Sequence, residues 1–151
     1  MESMYARVAE VEISYRPMRC ARPKIEDGRV AASIFRANWD DGQIEFRESL
    51  KVMLLNNRCN CMGICTVASG GGTSCGVDVR NILQTALVGN AQSIILCHNH
   101  PSGNVEPSTH DNTLTSNVQR GCDAVGIKLL DHVIISPDED VYYSFKENGK
   151  L

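Results

Sequence analysis

The chain has 151 residues, a formal charge of −3 and 22% charged residues, which suits one domain able to bury roughly 70% of its unfolded surface. That balance lacks the basic excess that non-specific phosphate binding requires, so nucleic acid is not the default partner. No apolar run nears the ~18 residues of a membrane span, and the N-terminal residues lack the charged-then-apolar order of a secretory signal; the expectation is a cytoplasmic protein.

The opening VAEVEISY alternates, with Val11, Ile13 and Tyr15 on one side, and predicts a half-buried strand ending near Pro17. RPMRCARPKIEDG reads as a loop. Val30, Ala31, Ile34 and Phe35 recur at helical spacing and predict a short helix leading to an Asp40-Asp41-Gly42 turn. In IEFRESLKVMLLNN a strand would place Phe46, Glu48, Leu50, Val52 and Leu54 on one face, and Arg47, Ser49, Lys51 and Met53 on the other. One member of that apolar face is a glutamate.

After an Asn56-Asn57 turn, MGICTVAS is the expected hairpin partner. SGGGTSCG reads as a loop, with a substrate-groove border as the alternative. Asp78 is placed to cap a helix whose inward stripe is Val79, Ile82, Leu83, Ala86 and Leu87 and which stops at Gly89. SIILC, residues 93–97, is an unbroken apolar run of the kind covered on both faces, and it delivers the chain into His98. From Ser108 a second amphipathic helix carries Leu114, Val118, Cys122 and Val125 inward and ends at Gly126. IKLLDHVIIS and VYYSF are the last strands. The order β-α-β-β-α-β-α-β-β predicts an α/β fold with a mixed sheet flanked by helices.

Seven cysteines, an odd set, point to reduced thiols over a disulfide framework. Cys59, Cys61, Cys65 and Cys75 lack the paired C-x2-C knuckles of common zinc sites. They read as buried or incidental thiols, with a second metal as the alternative.

The stretch HNHPSGNVEPSTHD, residues 98–111, concentrates the chemistry. In extended chain, His98 and His100 project to one side while Asn99 points away, and Pro101 biases His100 toward that geometry. Asp111 shares the helix face of Leu114 and Val118, where a carboxylate needs a partner. Two histidines and an aspartate would hold a zinc ion with its fourth position open to water, as in catalytic sites. Glu48, between Phe46 and Leu50, is the candidate general base, its pKa expected to rise by desolvation; Glu45 is the nearby alternative. A zinc-bound water and such a base would suffice for amide hydrolysis, with the Ser108 hydroxyl supporting the carbonyl oxygen as charge develops. Against this stands plain helix capping, since S-x-x-D at a helix start is also a capping signature; the two roles are compatible. Asp131 and His132 read as a strand-end hydrogen-bonded pair, or as groups behind the ligands. His110 reads as a surface residue.

Glu48 followed by His98-x-His100 and Ser108-x-x-Asp111 is similar to the JAMM (MPN+, or JAB) metalloprotease signature. HNHPSG with EPS, LLDHVII and YYSF resembles the RadC-like JAB domain in its short, stand-alone bacterial form. The similarity covers about residues 40–151, with residues 1–39 read as an N-terminal strand, loop and helix packed on that domain. The resemblance implies a cytidine-deaminase-like α/β/α fold, one zinc ion held by His98, His100 and Asp111, Glu48 as acid and base, and Ser108 supporting the tetrahedral intermediate. It implies a peptide or isopeptide-linked protein substrate. The competing expectation is a non-catalytic metal-binding scaffold in a protein or DNA-processing complex. An HNH nuclease is disfavoured because that motif is scattered over a ββα unit and the chain is acidic. A nucleobase deaminase lacks its H-x-E and P-C-x-x-C elements.

Overall fold

A computed structural model describes residues 8–70 and 76–151. Its elements are α1 (Gly28–Ala37), β1 (Glu48–Leu55), β2 (Cys61–Gly70), α2 (Val79–Val88), β3 (Ser93–Asn99), α3 (Thr109–Ala124), β4 (Lys128–Ile135) and β5 (Tyr142–Ser144). The five strands form one mixed sheet in the order β2-β1-β3-β4-β5. Only β3 and β4 pair in parallel, through the α3 crossover; the other neighbours are antiparallel. This is the α/β architecture with flanking helices that the order of elements predicts. Among the described residues no helix is long and apolar enough to cross a membrane.

The sheet has a core on each face. On one, Ala31, Phe35 and Trp39 from α1 and the turn after it cover Met53, Leu55, Ile95 and Val133. On the other, Ile82 and Ala86 of α2 and Leu114, Val118 and Cys122 of α3 cover Leu50, Val52, Leu54, Ile94 and Leu96. Each fully buried side chain of this size contributes about 1.5–3 kcal/mol. β3, central and buried at all seven positions, is the two-sided strand that its apolar run predicts, and it extends two residues further, through His98 to Asn99.

Local signals explain where the elements begin. The Asp27 carboxylate accepts from Val30 N at 2.8 Å to start α1, and that of Asp78 accepts from Arg80 N at 2.9 Å to start α2. The β1–β2 turn is held by Asn56, whose Oδ1 accepts from the backbone N–H groups of Arg58 and Asn60 at 2.9 and 3.0 Å. Gly126, at φ +74°, closes α3 in the left-handed conformation expected of such a stop. Gly89 acts differently. Its φ is −74°, and a Cβ there would come within 2.3 Å of Leu54 Cδ1, so close packing against β1 selects the glycine.

Three expectations are corrected. Residues 8–17 form no strand: Val8, Val11 and Ile13 are 90%, 85% and 75% exposed. Alternation yields a strand only where a sheet edge receives it; residues 8–17 reach β2 through the Tyr15 hydroxyl, 3.5 Å from Met62 O, and backbone pairing comes later, at the Lys24–Asn60 bridge. Phe46 is 70% exposed in the turn before β1, which begins at Glu48. Leu87 and Val125, assigned to inward stripes, are exposed at helix ends beyond the sheet. The SGGGTSCG loop lies largely outside the described residues.

Candidate metal centre

β3 and the helix that follows it build the site at the carboxyl ends of the parallel strands β3 and β4, where α/β folds place their ligands. His98 is the penultimate residue of β3 and is 3% exposed. His100 lies two residues on, its backbone N–H held by Ile135 O at 2.9 Å. Their Nε2 atoms are 2.9 Å apart.

Asp111 arrives from the first turn of α3. It completes a capping box: Asp111 Oδ2 accepts from Ser108 N at 2.8 Å, and Ser108 Oγ accepts from Asp111 N at 3.1 Å. Capping and site geometry coexist, since Asp111 Oδ1 stands 3.2 Å from His98 Nε2 and Oδ2 stands 3.4 Å from His100 Nε2.

Glu48 is delivered by strand register. Leu50 pairs with His98 across β1–β3, so Glu48, two residues along on the same face, reaches the level of His100. Its Oε1 is 4.0 Å from His98 Nε2 and its side chain keeps 29% exposure. It sits at the rim, less enclosed than its place in the apolar alternation suggests. Glu45 lies in the preceding turn and is exposed.

Glu48, His98, His100 and Asp111 thus offer donor atoms within 4.8 Å of one another. They line a cavity of about 170 Å³ together with Ser108, His110 and an apolar wall of Leu50, Val77 and Leu114.

The chemistry of this donor set fits a metal ion. His100 Nδ1 is 2.6 Å from Asn104 O; a carbonyl only accepts, so Nδ1 carries the proton and Nε2 of the neutral ring presents a lone pair. The Asp111 carboxylate is acceptor-only, so the convergence calls for a cation. Tetrahedral bonds of about 2.0–2.1 Å need donors about 3.3 Å apart, close to the 2.9, 3.2 and 3.4 Å found here. Burial alone would raise the Asp111 pKa, but contacts with His100 and His98 and the Ser108 N–H hold the carboxyl far below its usual range. Burial would lower the His100 pKa, yet the neighbouring Asp111 carboxylate and Asn104 carbonyl raise it overall.

Residues 25–150 match the RadC-like JAB domain family. The chain belongs to that family. Its relatives include proteins named "UPF0758 protein" from Psychrobacter cryohalolentis, 37% identical over 100 residues, Thermotoga maritima, 36% over 105, and Porphyromonas gingivalis, 40% over 105. The aligned stretches cover 66–70% of this chain and 44–46% of those relatives, so the chain spans about half their length. The RadC-like JAB match takes in α1 as well as the sheet, and all five candidate site residues fall inside it.

Two polar residues of this RadC-like JAB domain matter more than the sequence indicated. Asn99, fully buried between the histidines, accepts from Ser49 N at 2.8 Å and donates to Ile44 O at 2.8 Å and Arg47 O at 2.9 Å. It brackets Glu48 and ties the start of β1 to the end of β3. A polar residue ending a fully buried strand must be hydrogen-bonded, and that was the available signal.

His132 is the other. Asp131 and His132 diverge as strand neighbours do: Asp131 accepts from Ser144 Oγ at 2.6 Å and Lys146 N at 3.0 Å, whereas His132 Nε2 lies 2.7 Å from His98 Nδ1. Only the histidine stands behind the ligands.

The cysteines of this RadC-like JAB domain build no second centre among the described residues, where no other group of three His, Cys, Asp or Glu donors converges. Cys75 lies outside the described residues. Burial pushes the Cys122 thiol up to about 11 and the Cys97 thiol upward as well, as suits inert core thiols. His110 is exposed on the first turn of α3, at the cavity mouth.

Proposed function

We propose that this domain is a zinc-dependent peptidase or isopeptidase of the JAMM type, with His98, His100 and Asp111 holding the metal, Glu48 as acid and base, and Ser108 supporting the substrate oxygen. The reading is carried by one observation: two imidazole nitrogens and a carboxylate converge at 2.9–3.4 Å with a further carboxylate 4.0 Å away at the cavity rim. When bound, zinc would supply Lewis acidity toward the scissile carbonyl and lower the pKa of water.

The chain's own groups do the rest. Glu48, partly exposed at the rim, meets incoming water, takes a proton from it and returns that proton to the departing amine. Ser108 Oγ already accepts from Asp111 N, leaving its hydroxyl proton for the carbonyl oxygen of the substrate as negative charge develops. Leu50, Val77 and Leu114 give the cavity an apolar wall that strengthens these electrostatic contacts by limiting water.

The test pairs metal analysis with cleavage. Purified protein is expected to carry about one zinc per chain, in keeping with a single three-ligand site. Glu48→Gln should keep the metal while cleavage of peptide or isopeptide-linked substrates falls by about 10²–10⁴-fold. Retained cleavage would remove Glu48 from the mechanism. A metal-bound scaffold in a larger assembly is the second reading, favoured by the unpartnered apolar side chains of Val8, Val11, Ile13 and Met18. Zinc-loaded protein that leaves a broad panel of such substrates uncut would favour it.

A further inference from the structure

Behind the ligands, three buried side chains form a directional line of short contacts. Thr115 Oγ1 lies 2.7 Å from the Asp111 carbonyl oxygen and 2.6 Å from His132 Nδ1. His132 Nε2 in turn lies 2.7 Å from His98 Nδ1. Thr115, His132 and His98 are 3%, 0% and 3% exposed, so water does not complete these contacts.

Proton bookkeeping gives the line one sense. The Asp111 carbonyl only accepts, so the single hydroxyl proton of Thr115 goes there. Thr115 Oγ1 must then accept from His132, which places the His132 proton on Nδ1 and leaves a lone pair on its Nε2. That lone pair accepts from His98 Nδ1–H. His98, with its proton committed backwards, presents the Nε2 lone pair to His100 and Asp111. With both rings neutral, any other assignment leaves one of three contacts of 2.6–2.7 Å without a hydrogen between its atoms. The Phe145 ring, stacked on His132 at 4.8 Å and 10°, fixes the plane in which this exchange occurs.

We infer that Thr115 and His132 are positioning residues that lock His98 in its Nδ1–H tautomer and so aim its Nε2 lone pair at the metal. The inference rests on the metal-centre reading above and adds a source of preorganisation to it. Thr115 sits one helical turn beyond Asp111, so the same turn of α3 that supplies one ligand also sets the tautomer of another. His100 is fixed separately, by Asn104 O. Without the Thr115 hydroxyl the line can reverse: His132 then donates from Nε2 to His98 Nδ1, and His98 carries its proton on the nitrogen that the metal needs.

The experiment reads tautomers and affinity together. Long-range proton–nitrogen spectra of ¹⁵N-histidine-labelled, metal-free protein, at a pH alkaline enough to keep the rings neutral, report which nitrogen is protonated. Wild type should show Nδ1–H at both His98 and His132. Thr115→Val should move both toward Nε2–H and weaken zinc binding by about 10–100-fold, and Thr115→Ser should restore both. Nε2–H at either residue in wild type overturns the inference, and this measurement decides it even if a variant fails to fold. So does a Thr115→Val protein with wild-type tautomers or with zinc affinity unchanged within twofold. Wild-type protein that binds no zinc would sink the proposed function instead, leaving the spectra to decide the relay.

Discussion

Residues 8–18 and the end of β3 invert what side-chain character alone would predict. The first stretch alternates apolar residues yet leaves Val8, Val11, Ile13 and Met18 75–90% exposed. The second carries histidine and asparagine, yet His98 and Asn99 are at most 3% exposed. The difference is partnership: a side chain is buried where another element receives it, and polarity is no obstacle once every donor and acceptor is matched.

The largest effect that tests this comparison is metal removal. Zinc at about a thousandfold over its dissociation constant should stabilise the fold by about 4 kcal/mol, and Asp111→Asn should abolish that gain, as thermal denaturation with and without chelator would report. The pH dependence has a definite sign. In the metal-free protein the His100 pKa lies above 6.5, so its pairing with Asp111 stabilises the fold below that pH and is lost as pH rises through the folded value. Zinc must displace that proton, so its stabilisation should grow as pH rises. Metal-free and metal-loaded protein should therefore diverge with increasing pH; parallel curves would place the proton elsewhere.

Next in size is Asn99. Asn99→Ala strips partners from Ser49 N, Ile44 O and Arg47 O, and at about 1 kcal/mol or more for each stranded group the expected loss is about 3 kcal/mol by denaturant titration. Zinc binding should survive, because no ligand is touched. Cleavage should fall with the displacement of Glu48. A loss below about 1 kcal/mol, the net worth of one ordinary hydrogen bond, would mean that water replaces the amide and that β1 holds its register without it.

Ser108→Ala should cost about 1 kcal/mol as a lost helix cap. It should barely change zinc affinity, because Asp111 Oδ2 is held by the Ser108 backbone N–H, which alanine retains. Cleavage should fall all the same. A variant that loses the metal would tie the hydroxyl to ligand placement.

These cases show which features the chain announces. The i, i+2 histidines and the S-x-x-D cap are local, so strand geometry and helix capping put them in place from spacing alone, and local sequence pattern likewise located all three helices and all five strands within a few residues, while adding an N-terminal strand that the fold does not form. Glu48 needed the β1–β3 register, which sequence separation does not set; Asn99 and Leu50 set it in the fold. His132 needed β3 and β4 to be parallel neighbours, with α3 laid across them to supply Thr115. Contacts between elements distant in sequence carry no local period, so neither segment alone announces them.

The smallest effect bears on the other half of the comparison. Val11→Ser with Ile13→Ser should alter stability by no more than about 0.5 kcal/mol, as for surface changes away from any packed feature, and should leave zinc affinity untouched. The nearby Ile25 supplies the contrast: it is 9% exposed, packs in the α1-side core and donates its backbone N–H to Cys59 O at 2.9 Å. Ile25→Ala should cost about 2–5 kcal/mol. Should the double serine variant match that loss, Val11 and Ile13 would have to pack on the domain in solution, and the alternation would have been a truer guide to the N-terminal segment than its exposure.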